Sequence, residues 1–142
     1  MKATVRESHS VEETEAIASE LASTLRGGEC IALEGDLGAG KTQFVRGLVR
    51  GLNGNARAVS SPTFVLLHVY DSGRLKVFHL DAYRVHGSED FDSIGFSELL
   101  EQNGVVVVEW PGRVASLLPE SVIQIRIEST SECDRRITID RC

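Results

Sequence analysis

The stretch that decides the fold is Gly35-Asp36-Leu37-Gly38-Ala39-Gly40-Lys41-Thr42, which fits the pattern G-x-x-x-x-G-K-[ST] of a phosphate-binding loop. A chain of phosphates needs several backbone N–H groups that point into one concavity, and glycines let the backbone come that close. Lys41 can reach the terminal phosphates as a positive charge, and Thr42 offers a hydroxyl to Mg²⁺. All eight residues are therefore predicted to lie against the phosphates of a nucleotide.

The residues on either side of this stretch predict a strand–loop–helix unit. Cys30-Ile31-Ala32-Leu33 is a short apolar run that is typical of a buried parallel strand. After the loop, Phe44, Leu48 and Leu52 recur every four residues as one helical stripe, and Asn53-Gly54 is a stop signal. A helix that starts at the loop directs its positive end at a bound anion. An ordinary glycine-rich turn, the alternative, does not explain these flanks.

Length and composition limit the class of protein. The chain has 142 residues, enough for one domain with a core and too few for two, so residues 1–142 are expected to form a single domain. A net charge of −6 does not provide the basic surface of a protein that reads DNA or RNA directly. No apolar run approaches the roughly 20 residues of a membrane span. Together with three cysteines that share no metal-ligand spacing, these features predict a cytoplasmic protein that contacts neither DNA nor a membrane.

Strand and helix signals alternate along the rest of the chain. Ser10 and Glu13 have the spacing of a capping box before a helix of about four turns. Two hairpins are predicted, over 65–80 and 122–139, and the four valines 105–108 predict a strand buried on both faces. Further helices are predicted over 88–100, with a bend at Gly95, and over 112–118. This order predicts an α/β fold, a three-layer sandwich like that of P-loop nucleotide hydrolases, with a parallel core in a mixed sheet and antiparallel hairpin strands at its edges.

Two acidic residues stand at the ends of predicted strands. Hydrolysis of a nucleotide needs an acid near Mg²⁺ and a group that positions water. Glu109 closes the four-valine strand, where an unpaired carboxylate would be costly and a cation partner is favoured over the alternative of a solvated loop residue. Asp81 ends a hairpin strand and could accept a proton from water or hold a metal-bound water, with an aspartate in a turn as the alternative. His68 and His79, within strands, are predicted to be structural.

Four motifs, in this order, resemble those of the TsaE family: G-D-L-G-A-G-K-T, S-P-T-F, H-L-D-A-Y-R and V-V-V-V-E-W-P. The resemblance extends from about Glu12 to Ile139. TsaE proteins are small ATPases that act with TsaD and TsaB in forming threonylcarbamoyladenosine beside the anticodon of tRNA. The resemblance therefore implies ATP and Mg²⁺ as cofactors, TsaD and TsaB as protein partners, and tRNA as a partner reached through that complex.

The resemblance also implies roles for individual residues. Lys41 and Thr42 would hold the phosphates and Mg²⁺, and Glu109 would be the second metal ligand. Asp81 becomes the candidate base and, with Lys41, makes up the predicted catalytic pair. Ser61-Pro62-Thr63 would form a switch-like loop near the γ-phosphate.

Signals for the adenine end are weaker. No Asn-Lys-x-Asp guanine motif occurs, which favours adenine over guanine. Ser10, at the start of the first helix, and Arg135, on the final hairpin, are predicted to approach the base or ribose from opposite sides. Trp110 is expected beside the site, although packing alone would explain it. Arg84, Arg113 and Arg135 all stay open as an arginine finger.

Three classes of function compete on this sequence. The first is an ATP hydrolase, slow alone and dependent on partners, which the resemblance and the absence of an acceptor-substrate domain favour. The second is a small-molecule kinase, which usually needs an arginine-bearing lid for which 142 residues leave little room. The third is a nucleotide-gated interaction subunit with little turnover. The fold alone does not choose between them.

Overall fold

Seven strands and three α-helices make up the part of the chain that the computed structural model describes, residues 2–36, 38–60, 66–83, 91 and 95–141. The helices are α1 (Val11–Ala22), α2 (Lys41–Gly51) and α3 (Phe96–Leu100). The strands are β1 (Lys2–Ser8), β2 (Cys30–Glu34), β3 (Leu67–Tyr70), β4 (Val77–Asp81), β5 (Val105–Glu109), β6 (Ile123–Ser129) and β7 (Arg135–Arg141). Short 3₁₀ segments occupy Ala56–Ala58 and Pro111–Leu117.

All seven strands belong to one mixed sheet in the order β1-β7-β6-β2-β5-β4-β3. Its centre is parallel, since β2 pairs with β5 and β6, and β5 pairs with β4. At one edge β3 runs antiparallel to β4, and at the other β7 and β1 follow as antiparallel strands. The predicted parallel core with antiparallel edges is confirmed. The carboxyl ends of β2, β4 and β5 consequently meet at one edge of the sheet, the usual place for a ligand in such folds.

Helical layers cover both faces of the sheet. On one face, α1 and α2 bury their apolar stripes against β2, β5, β6 and β7, in a cluster that includes Ile17, Phe44, Leu48 and Val107. On the other face, α3 and the segment Pro111–Leu117 pack in a second cluster with β4 and β5. The three-layer arrangement and the predicted stripe of α2 are therefore confirmed, and the site described below lies at the end of the α1/α2 layer.

The start of α1 and its contact with α2 follow from local chemistry. The Oγ of Ser10 accepts a hydrogen bond of 3.1 Å from the N–H of Glu13, which confirms the predicted cap. The Glu13 carboxylate accepts in turn from the N–H of His9, one residue earlier than the usual capping-box partner. On α2, a Cβ at Gly47 would come within 2.2 Å of the carbonyl oxygen of Glu15. Only glycine permits this approach, which places the two helices side by side.

The first strand is an element that the sequence pattern did not indicate. It pairs with β7 along its whole length, from Lys2 opposite Arg141 to Ser8 opposite Arg135. It lies at the edge of the sheet, and Val5 is 55 % exposed, so no apolar alternation marks it. The pairing places the end of β1, and with it the start of α1, at the same edge of the sheet as the phosphate loop.

The structure also bears on the predicted helix over 88–100 and on the cysteines. Gly95, with a φ of 86°, immediately precedes α3, so the predicted interruption of that helical pattern is confirmed. Residues 88–90 and 92–94, which belong to the predicted helix, lie outside the described residues, as does Cys142. Cys30 is buried in β2, and burial raises the pKa of its thiol to about 12. Among the described helices, none has the length and apolarity to cross a membrane.

Candidate nucleotide-binding site

The phosphate loop joins β2 to the first residue of α2. Gly38 and Gly40 have φ values of 80° and 112°, in the left-handed region that favours glycine. At Gly35, a Cβ would lie 2.8 Å from the carbonyl oxygen of Ile127 in β6, so close packing of the loop against the sheet requires glycine there. Leu37 lies outside the described residues. Positive φ values at Gly38 and Gly40 are compatible with a loop whose backbone N–H groups point at an anion.

The ammonium of Lys41 is buried beside a carboxylate and an aromatic ring. Its Nζ makes no hydrogen bond within the described part of the chain, lies 3.7 Å from Oε1 of Glu109, and lies 4.0 Å from the centre of the Trp110 ring. Burial lowers the pKa of the Lys41 ammonium, and the nearby charges of Glu109, Asp81 and Asp36 offset only part of that effect. An ammonium group buried in this way is stabilised by an anion that supplies the missing acceptors.

The two predicted acids lie side by side. Asp81 is the last residue of β4 and Glu109 the last of β5, and the two are directly paired across the parallel strands. Both are buried, on the face of the sheet that carries α1 and α2, and Oδ1 of Asp81 accepts a hydrogen bond of 2.8 Å from the N–H of Tyr83. The structure thus brings Lys41, Asp81 and Glu109 together at the carboxyl edge of the sheet.

The predicted metal ligands suit a hard divalent cation. Thr42 is the second residue of α2 and Glu109 ends β5, so each offers an oxygen at this edge of the sheet. No group of three His, Cys, Asp or Glu side chains that could hold a metal occurs among the described residues. Mg²⁺ in nucleotide sites does not need such a group, because one or two protein oxygens act together with phosphates and waters. The donor set therefore fits Mg²⁺ bound together with a nucleotide.

A cavity of about 320 Å³ opens beside the phosphate loop, and both residues predicted to approach the adenine, Ser10 and Arg135, line it. Its volume is at the lower end of the roughly 300–1,000 Å³ usual for small-molecule sites. The start of α1, the phosphate loop and the turn between β6 and β7 form its walls, with Ser10, Thr14, Ala39, Gln43, Cys133 and Arg135 among the lining residues. Ser10 and Arg135 therefore belong to different walls of one cavity.

Contacts within these walls hold the cavity together. Nε of Arg135 donates a 2.9 Å hydrogen bond to the carbonyl of Ala39, and its Nη1 donates one of the same length to the carbonyl of Asp134. Arg135 therefore fastens the β6–β7 turn to the phosphate loop. Across the cavity, Nδ1 of His9 lies 2.9 Å from Oδ1 of Asp134, and this contact raises the pKa of His9. The Ser10 hydroxyl is already engaged as the cap of α1.

Trp110 contacts the site more directly than its sequence position suggested. Its φ of 57° puts a bulky residue in the left-handed region, a conformation that costs on the order of 1–3 kcal/mol. The proline that follows, Pro111, disfavours the right-handed helical alternative. The Trp110 ring lies against Nζ of Lys41 and 5.0 Å from the ring of Tyr83. The indole thus covers the ammonium of Lys41.

His79 contacts the site as well, although its position in a strand predicted a structural role. It is fully buried, and its Nε2 lies 2.5 Å from Oε2 of Glu109. The signal that could have located it is its place two residues before Asp81, which puts both side chains on one face of β4.

Other predicted residues fall outside the described part of the chain or have separate contacts. Ser61-Pro62-Thr63, the predicted switch-like stretch, and Arg84 lie outside the described residues. The guanidinium of Arg113 lies 5.5 Å from the centre of the Tyr83 ring, and that of Arg135 is held by backbone carbonyls.

The sequence was compared with protein families and with proteins of known name. The family model described as threonylcarbamoyl adenosine biosynthesis protein TsaE matches residues 8–137. A protein of Treponema pallidum named tRNA threonylcarbamoyladenosine biosynthesis protein TsaE is 42 % identical over 132 residues, which cover 93 % of this chain and 96 % of that protein. A protein of the same name from Bacillus subtilis is 40 % identical over 127 residues, 89 % of this chain and 78 % of the relative.

A solved structure agrees with the sequence relatives. The crystal structure of Bacillus subtilis YdiB superposes with a TM-score of 0.81 at 33 % sequence identity, over 99 % of this chain and 86 % of that one. The family model covers far more than half of the chain, and the relatives match along nearly all of it. The resemblance inferred from four motifs is therefore confirmed, and the chain belongs to the TsaE family.

Proposed function

We propose that this chain is a Mg²⁺-dependent ATPase that supports the formation of threonylcarbamoyladenosine in tRNA. The observation that carries the ATPase part is the Lys41 ammonium, buried without a hydrogen bond to any described residue and beside the carboxylates of Asp81 and Glu109. The relatives named for this tRNA modification support the second part. TsaD and TsaB are the proposed protein partners, with tRNA reached through them, and the proposed location is the cytoplasm, where tRNA is found.

Each group of the site has a proposed task in binding. The backbone of the phosphate loop and Lys41 bind the phosphates of ATP, which supply the acceptors that the lysine lacks. Thr42 and Glu109 are the residues that would hold Mg²⁺. When bound, this ion neutralises charge on the phosphates and polarises them. Trp110, over Lys41, keeps water away from the ammonium.

The proposed chemical step is transfer of the terminal phosphoryl group to water. The water oxygen forms a bond to the γ-phosphorus while the bond from that phosphorus to the bridging oxygen breaks, which leaves ADP and inorganic phosphate. Asp81 accepts a proton from the attacking water. Its hydrogen bond from the N–H of Tyr83 uses one carboxylate oxygen and fixes the orientation of the group.

The first test measures release of inorganic phosphate from ATP in the presence of Mg²⁺ and the absence of any added acceptor. The ATPase proposal predicts phosphate release that Mg²⁺ chelation abolishes. Release only after addition of a small-molecule acceptor, with formation of a phosphorylated product, would indicate a kinase instead. Tight ATP binding with no release, alone or with partners, would indicate the nucleotide-gated interaction subunit.

Substitution of the proposed metal ligands is expected to separate metal binding from nucleotide binding. Thr42→Ala and Glu109→Ala each remove one oxygen ligand, so the gain in ATP affinity on addition of Mg²⁺ should shrink while metal-free affinity changes less. Calorimetric titrations of ATP with Mg²⁺ and with EDTA measure the two affinities. A variant that keeps the full effect of Mg²⁺ would show that the replaced residue is not a ligand.

The cavity beside the loop is proposed to receive the adenine and ribose. Arg135→Ala should weaken ATP binding by about 10- to 150-fold, since one lost hydrogen bond to a charged group is worth about 1.5–3 kcal/mol and the substitution also frees a wall of the cavity. The adjacent Arg136→Ala is the matched control, because Arg136 pairs instead with exposed Glu7. Equal affinities of the two variants, or a nucleotide-bound structure with Ser10 and Arg135 far from the adenine, would refute the assignment.

A further inference from the structure

A row of buried contacts leads from Glu109 to the edge strand β3. His79, with no exposed surface, lies 2.5 Å from Oε2 of Glu109 through Nε2 and 3.4 Å from the hydroxyl of Tyr70 through Nδ1. The Tyr70 oxygen accepts a hydrogen bond of 3.2 Å from the N–H of Ser60 and lies 3.1 Å from Nδ1 of His68. Three strands, β5, β4 and β3, are thus joined by polar side chains across the sheet.

Two of the groups in this row, His79 and Tyr70, act as hydrogen-bond donors. A carboxylate oxygen accepts hydrogen bonds, so Nε2 of His79 is the donor in its 2.5 Å contact with Glu109. Burial raises the pKa of Tyr70, which therefore keeps its hydroxyl hydrogen as a donor. His79 thus donates to Glu109, while the Tyr70 hydroxyl donates to the carbonyl of Ser60 at 3.2 Å and lies within hydrogen-bonding distance of Nδ1 of His79.

Packing alone does not account for an imidazole at this position. The residues that surround His79 on its face of the sheet include Val77, Val105 and Val107, which belong to the apolar core. A buried polar ring among apolar neighbours is costly unless both nitrogens are satisfied, whereas an apolar side chain would fill the same volume at no such cost. The contact with Glu109 gives the histidine a role that an apolar residue could not supply.

We propose that His79 is a positioning residue for Glu109, and that Tyr70 fixes the orientation of the His79 ring from β3. Because His79 holds Oε2, the other oxygen, Oε1, is the one turned toward Lys41, at 3.7 Å from its Nζ. By holding one carboxylate oxygen, His79 fixes the orientation in which the other oxygen of Glu109 would bind a metal. Outer partners orient the ligands of other metal sites in the same way. This inference rests on the proposed function, since it takes Glu109 as a metal ligand.

Two substitutions of the same histidine separate its contacts. The glutamine of His79→Gln can place its amide nitrogen near the position of Nε2 and still donate to Glu109. The shorter asparagine of His79→Asn reaches toward the Nδ1 side and leaves Glu109 without its donor. Calorimetry with ATP, in Mg²⁺ and in EDTA, is the readout. His79→Asn should lose about 10- to 100-fold of the affinity gained from Mg²⁺, the usual effect of removing an outer partner, while metal-free affinity is unchanged.

Further variants distinguish positioning from general damage. His79→Gln should keep most of the Mg²⁺ effect, and Tyr70→Phe, which preserves the ring but not the hydroxyl, should show a smaller loss in the same direction as His79→Asn. In a Glu109→Ala background, His79→Asn should cause no further loss of the Mg²⁺ effect, since the histidine acts through that carboxylate. Thermal unfolding of each variant checks that it folds.

The outcomes separate this inference from the proposed function. If the unsubstituted chain gains no ATP affinity from Mg²⁺, the proposed function is wrong, and the inference falls with it. If that gain is present but His79→Asn retains it, or His79→Gln loses as much as His79→Asn, the positioning role is refuted while the function stands. Should His79→Asn fail to fold, an unchanged Mg²⁺ effect in Tyr70→Phe would refute the role assigned to Tyr70.

Discussion

Asparagine in place of Asp81 should lower the rate of ATP hydrolysis by roughly two to four powers of ten, the usual worth of a general base. Asparagine keeps the shape of aspartate, and its carbonyl oxygen can still accept the hydrogen bond from the N–H of Tyr83. What it loses is the capacity to take a proton from water. ATP affinity should change little, because the lost interaction is made mainly in the transition state.

Single-turnover hydrolysis and calorimetric ATP binding, measured on the same preparation, test this expectation. Asp71→Asn is the matched control, since Asp71 is an exposed residue of the turn between β3 and β4. Normal hydrolysis in Asp81→Asn would show that the aspartate has only a structural role at the end of β4. Loss of ATP binding instead of turnover would indicate that Asp81 is part of the metal site and not the general base.

Lys41→Ala should remove useful ATP binding, with a loss of affinity of about 100-fold or more, in line with the 2–5 kcal/mol cost of truncating a buried charge partner. In the free chain the ammonium is buried and makes no hydrogen bond to a described residue, so a bound phosphate would supply acceptors that it lacks. Its removal also leaves Glu109 and Asp81, paired across adjacent strands, without the nearby positive charge.

Titration calorimetry with ATP and Mg²⁺ measures this effect, with thermal unfolding as a check on folding. Lys76→Ala is the matched control, because Lys76 is exposed and directly precedes β4, at the opposite end of that strand from Asp81. Equal ATP affinity in Lys41→Ala and the unsubstituted chain would contradict the assignment of the phosphate site. Weaker binding in both variants would point to a general effect of net charge.

Features encoded by local patterns could be predicted from the sequence. The stripe of Phe44, Leu48 and Leu52 identified α2, because burial of one helical face repeats every three to four residues. Asp81 and Glu109 were found because each ends an apolar strand, and parallel strands bring their carboxyl ends together. The phosphate loop was likewise identified from the spacing of glycines that are close together in the sequence.

Features that depend on distant partners could not be predicted in this way. Strand β1 is polar and owes its place to pairing with β7, more than 120 residues further along the chain. The contact between His79 and Glu109 arises only when β4 and β5 pair. A histidine within a strand carries no local sign of the carboxylate that it will meet.

The proposed function is tested most directly by one reconstitution that contains this chain, TsaD, TsaB, tRNA, ATP and Mg²⁺, in which phosphate release and threonylcarbamoyladenosine formation are followed together. The account predicts that ATP hydrolysis rises when the partners are added, and that Asp81→Asn abolishes that rise together with tRNA modification. It would be contradicted by full tRNA modification with Asp81→Asn, or by modification that proceeds equally well when this chain is left out.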